Sequence, residues 1–84
     1  MSAVASGTSS VRLLSARAGR TGFVIENTDA NRLHVLLGSG AADTTNSYSF
    51  SLAQNETSAL LTYNGDVFGI WAADGSGYAL VTEW

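Results

Sequence analysis

An 84-residue chain with one histidine, no cysteine, and four arginines but no lysine carries a net charge of −3. The length holds one domain, the missing thiols exclude disulfides and thiolate metal sites, and an acidic balance gives no electrostatic grip on nucleic acid. Only 13% of residues are charged, about half the share usual in soluble proteins, so hydroxyl, amide and apolar groups must cover a surface suited to protein contact.

Residues 1–9 are, after Met1, Ser, Ala, Gly and Thr with one valine. They bring too little apolar surface to order themselves and read as a flexible N-terminal arm, with residues 10–84 as a single β domain. The opening has no basic n-region and no apolar run of signal-peptide length, so synthesis in a cytoplasm is expected. A short strand follows at Val11–Leu14. Arg12, Arg17 and Arg20 form the one concentration of positive charge, and the use that suits them is pairing with carboxylates on a partner protein.

In Gly22–Asn27 the inward set of a strand is Phe23 and Ile25. Asn27-Thr28-Asp29-Ala30-Asn31 supplies side chains that bond their own backbone in a turn. Arg32–Leu37 alternates next, with Leu33, Val35 and Leu37 inward and His34 on the opposite face, as a surface or interface histidine. Gly38-Ser39-Gly40 opens a loop to about Thr45. Asn46–Leu52 reads as a half-buried strand, with Tyr48, Phe50 and Leu52 on one side and serines on the other.

A further short strand is expected at Ala59–Tyr63, then a tight turn at Asn64-Gly65. The segments Val67–Ala72 and Tyr78–Trp84 are apolar on nearly both faces, as in strands covered on both sides, and Asp74-Gly75-Ser76-Gly77 reads as the hairpin turn joining them. Trp71 and Tyr78 are expected in the core. Trp84, a large apolar side chain last in the sequence, reads as an interface anchor. Turns every 8–14 residues and no helical period give an all-β fold: a small antiparallel sandwich or barrel, jelly-roll-like, of six to seven strands.

Chemistry is harder to find. No strand–turn–helix elbow surrounds any serine that His34 could activate, and the seven acids stand singly at turns and strand ends. The two Gly-Ser-Gly runs lack the helix and lysine of a phosphate loop, and Asp74 lacks the further acidic ligands of a calcium loop. The expectation is a non-enzyme with no cofactor and no metal. No run approaches the ~20 apolar residues that span a bilayer, so no membrane partner is expected either. A chain this short has a small core and draws stability from association when disulfides and metals are missing. Proline and lysine, two common guards of strand edges, are both absent, which also points to edges covered by neighbouring subunits.

The run Val67-Phe68-Gly69-Ile70-Trp71-Ala72-Ala73-Asp74-Gly75-Ser76-Gly77-Tyr78-Ala79-Leu80-Val81-Thr82-Glu83 resembles the C-terminal part of a group of short phage-encoded virion proteins. Upstream, Arg20–Asn27 and Leu33–Gly40 are similar to the same group, and the likeness spans about residues 12–84. Where that group often has Pro and Gly before its fourth strand, this chain reads Ala53-Gln54-Asn55-Glu56-Thr57. The resemblance implies a structural part of a bacteriophage virion, with no catalytic residues. The function expected is a capsid decoration or cement protein on the capsid surface, self-associating as a homotrimer and bound to the major capsid protein. The alternative is a tail fibre or spike module attaching to host-surface glycans through exposed aromatics such as Tyr63 or Trp84. In either case Arg12, Arg17, Arg20, His34 and Trp84 are the expected interface residues.

Overall fold

The computed structural model describes residues 2–38, 42 and 48–84, and among these every regular element is a strand. The strands are β1 (Ser2–Ala5), β2 (Val11–Leu14), β3 (Phe23–Asn27), β4 (Leu33–Leu37), β5 (Phe50–Leu52), β6 (Glu56–Thr57), β7 (Val67–Trp71) and β8 (Tyr78–Glu83). They form two four-stranded antiparallel sheets, ordered β1-β8-β3-β6 (sheet A) and β2-β7-β4-β5 (sheet B). Each strand pairs with the one that mirrors it in chain order: β1 with β8, β2 with β7, β3 with β6 and β4 with β5. Every connection except β4–β5 therefore crosses from one sheet to the other.

The strand count is eight, not six or seven. Residues 2–5, expected in a flexible arm, form β1 because β8 offers a full row of backbone partners, from Ser2 opposite Val81 to Ala5 opposite Tyr78. Two-residue β6 was not foreseen. Ala59–Tyr63 makes no regular strand; Leu61 forms an isolated bridge with Phe23 of sheet A. The strand expected over Asn46–Leu52 is ordered as such only at Phe50–Leu52; positions 46 and 47, and most of the loop expected up to Thr45, lie outside the described residues. The supposed hairpin at Asp74–Gly77 is a crossover, since β7 belongs to sheet B and β8 to sheet A.

Both sheets contribute to one core. Phe23, Ile25, Ala79 and Val81 from sheet A meet Leu13, Leu33, Val35, Leu52, Val67 and Trp71 from sheet B. Period-2 alternation produces this: β3 and β7 bury every second residue completely and leave the others half-covered. A bulge between Arg12 and Leu14 turns both Leu13 and Leu14 inward. Gly69, opposite Val11 in the register, lets Leu13 and Leu33 pack closely over it: a Cβ there would come within 2.9 Å of Leu13 Cδ1 and 3.0 Å of Leu33 Cδ1 and push those side chains aside.

One end of the sandwich is closed by a buried polar knot. Asn27, at an inward position of β3, is fully buried. Its Nδ2 donates to the carbonyls of Asn31 (2.9 Å) and Leu52 (3.0 Å), and its Oδ1 accepts from Trp71 Nε1 (3.0 Å) and the Asp29 amide (3.1 Å). All four hydrogen-bonding positions of the amide are filled, which makes its burial tolerable. Asp29, also buried, accepts from the Asn31 backbone (2.8 Å) and side-chain (2.9 Å) nitrogens and from the Gly77 amide (2.9 Å). Gly77 approaches so closely that a Cβ would sit 2.6 Å from the Asp29 amide nitrogen. The β3–β4 and β7–β8 crossovers are thus held to each other through one carboxylate.

Candidate contact surface

The register fixes what the outer face of sheet A presents. Ala79 and Val81 are buried, so Tyr78, Leu80 and Thr82 of β8 point away from the core. Across from them, on the same face, stand Ala5 opposite Tyr78, Ala3 and Glu26 opposite Leu80, and Val24 opposite Thr82. Thr57 lies beyond Glu26 on β6. Among these residues Glu26 is the single charge.

Trp84 extends this face at the end of β8. Its carbonyl accepts from the Thr21 amide (2.7 Å), the Gly22 amide (3.2 Å) and the Thr21 hydroxyl (3.0 Å), and its own amide donates to Gly22 (3.0 Å). The backbone is fixed while the indole stays 51% exposed. Leu60, 59% exposed, lies beside it: a Cβ on Gly22 would fall 3.1 Å from Leu60 and 3.3 Å from the Trp84 ring. With Tyr78 at 46%, three of the four large exposed apolar side chains among the described residues lie on this face. Trp84, read from the sequence as an interface anchor, is exposed in the single chain. Tyr78, expected in the core, is outside, because the small Ala79 takes the inward position after it. The alternation Tyr78–Leu80–Thr82 against Ala79–Val81 carried that signal; Leu60, outside any regular strand, carried none.

The arginines do not form a patch. Arg20 lies inside: its side chain is 0% exposed. Nη1 donates to the Tyr63 (3.2 Å) and Gly65 (3.1 Å) carbonyls and Nη2 to the Ser15 carbonyl, while the guanidinium stacks 5.5 Å from the Phe23 ring centre. Its Nε faces Glu83 Oε1 at 3.7 Å, and the exposed Arg17 reaches the same oxygen at 2.7 Å. Arg20 is therefore a clamp on the loops before β3 and β7 rather than the contact residue expected, because three carbonyls with no strand partner needed one forked donor.

Arg12 stands on the outer face of sheet B, opposite Phe68 in the register, with its guanidinium 5.5 Å from that ring and 3.9 Å from Asp66. Arg32 reaches the same face by donating to Ser51 Oγ (2.9 Å). Half-buried Leu36, Phe68 and Ile70 lie between them. His34 also belongs to this face but is buried, with the Tyr48 ring edge-on at 4.7 Å. That contact takes Tyr48 away from Phe50 and Leu52, with which it was expected to point.

A recess of about 330 Å³ opens between the edge strands β5 and β6, lined by Phe50, Leu52, Ala59 and Leu61 with Glu56, Thr57 and Ser58. It is mainly apolar, and Glu56 is already engaged by the Ala53 amide (2.7 Å). No group of three or more metal-ligating side chains occurs among the described residues, and among them no helix is long and apolar enough to cross a membrane. Among the described residues the strongly shifted acid is Asp29. The Asn31 backbone N–H, opposed by burial and aided by the Ser6 hydroxyl, Gly77 N–H and Asn31 amide, lowers its pKa from 3.8 to about 2. It remains a carboxylate in a structural knot with every oxygen engaged. Comparison with family models, curated proteins and solved structures finds no match.

Proposed function

We propose that this chain is a non-enzymatic structural protein of a bacteriophage particle, a capsid decoration or cement protein that binds the outer shell and stabilises contacts between capsomers. It works as many copies, self-associated as trimers and seated on the major capsid protein. The observation that carries this reading is the outer face of sheet A, where Leu60, Tyr78 and Trp84 stand exposed beside a single charge, Glu26. A face rich in aromatics and poor in charge has the composition of the central part of a protein interface, and a small isolated domain gains from covering it.

The strand orders support a finer reading of the fold. An eight-stranded pair of sheets in which each strand pairs with its mirror in the chain is what a jelly roll requires, an architecture used by viral capsid and lectin domains. The lectin possibility is the tail-module alternative, and the aromatics weigh against it. Tyr78 and Trp84 are six residues apart on one strand, about 20 Å at ~3.3 Å per residue, so they cannot stack on one sugar ring. Tyr63 packs half-buried against the core.

Quantitative mass spectrometry of purified particles tests the proposal. Hundreds of copies per particle are expected, with a Trp84→Asp, Leu60→Asp variant lost from the shell. A dozen copies or fewer would reject a shell role in favour of the tail.

A further inference from the structure

We propose that copies of this chain associate heterologously, the outer face of sheet A on one copy packing against the outer face of sheet B on the next. This rests on the self-associating reading above and adds which surfaces meet. The occupant of each face is argued from charge. The outer face of sheet A carries Glu26 alone, and no cation pairs with it among the described residues. Among the described residues, the outer face of sheet B carries Arg12, whose ion-pair partner Asp66 is a loose 3.9 Å away, and Arg32, which donates to a serine hydroxyl.

An A-to-A dimer would place two glutamates in one apolar contact, and a B-to-B dimer would gather four arginines against two Asp66 carboxylates. Either arrangement brings an excess of like charge into the contact, which weakens association. The A-to-B contact instead gives Glu26 a cation and sets Trp84 and Tyr78 against arginines and half-buried apolar side chains, the residue types that dominate interface energetics.

Size agrees. A standard interface takes about 800 Å² from each partner, roughly a fifth of this chain's 4259 Å². A whole sheet face is needed, and the molecule's two longer extents, 33 and 22 Å, supply one on each side. Because the two faces differ and lie on opposite sides of the sandwich, the contact is head-to-tail and its repetition stacks copies in an open row, separate from the surfaces that close a trimer.

The test is sedimentation velocity of the full chain with charge-reversed variants. Glu26→Arg alone, and Arg12→Glu with Arg32→Glu, are each expected to raise the dissociation constant at least about tenfold. The chain carrying all three reversals should recover association, and that recovery also shows that the parts fold. If the triple variant does not fold, Glu26→Arg with Arg32→Glu serves the same purpose. Association indifferent to Glu26→Arg, or a monomer at every concentration, overturns the inference. Neither result touches the shell role, which copy number in particles decides separately.

Discussion

The two tryptophans mark two ways of fixing a side chain. Trp71 is 1% exposed, and its indole is held by its own N–H on a saturated Asn27. Trp84 is 51% exposed and held only through its backbone, by Thr21 and Gly22. Around Trp71 the chain places polar groups with every bond satisfied; around Trp84 it leaves large apolar groups in solvent. The first arrangement serves the fold. The second contributes little to an isolated copy and gains most when something covers it, which is why the proposed contact is placed at that end.

The largest expected effect breaks the comparison at Trp71. Trp71→Ala removes a fully buried ring, which costs about 3–5 kcal/mol, and takes away one of the two donors on Asn27 Oδ1. A domain of this size holds roughly 4–13 kcal/mol in total. Urea titration followed by circular dichroism should therefore find the variant unfolded or nearly so at 25 °C. A midpoint within 0.3 M of the parent, at unchanged slope, would mean that the knot closes without the indole.

Next in size is Arg20, whose buried guanidinium holds three backbone carbonyls. Arg20→Lys keeps the charge, but an ammonium cannot span the Tyr63, Gly65 and Ser15 carbonyls. Leaving two buried carbonyls short of a donor costs about 3 kcal/mol, read as a lower denaturation midpoint. If the loss is below about 1 kcal/mol, water or the lysine ammonium satisfies those carbonyls and the clamp adds little to the fold.

Asp29 comes third. Its folded pKa, about 2, lies below the ordinary 3.8, so its stabilisation is complete above about pH 4 and is lost as pH falls towards 2. The shift corresponds to about 2 kcal/mol. Asp29→Asn should lower stability at pH 7 by about that amount and flatten the acid limb between pH 4 and pH 2. An unchanged acid limb would assign acid sensitivity to other carboxylates.

Much of this architecture was legible in the sequence. The inward sets Phe23–Ile25 and Leu33–Val35–Leu37 are where alternation placed them, and the turn from Asn27 to Asn31 uses its side chains on its own backbone as the residue types imply. Asn27 itself left a readable sign, a polar residue at the inward position after Phe23 and Ile25. Other features were hidden for physical reasons. β1 has almost no apolar pattern because β8 orders it through backbone hydrogen bonds. Asp74–Gly77 has the local chemistry of a hairpin, yet Gly77 is spent on Asp29, 48 positions away. Arg20 sits outside any strand, so no periodicity could show that three carbonyls converge on it.

The smallest expected effect on stability sharpens the comparison most. Trp84→Ala leaves the carbonyl that Thr21 and Gly22 bind, removing only a ring that already spends half its surface in water. The loss should stay below about 1 kcal/mol, since substitutions away from buried features are usually small. Association should fall by more than the fold does, because an aromatic anchor at the centre of a contact is worth about 2 kcal/mol or more when truncated. Denaturation and sedimentation on the same preparation separate the two quantities. A variant that unfolds easily yet associates normally would make Trp84 a second Trp71, and the division between a folding end and a contact end would fail.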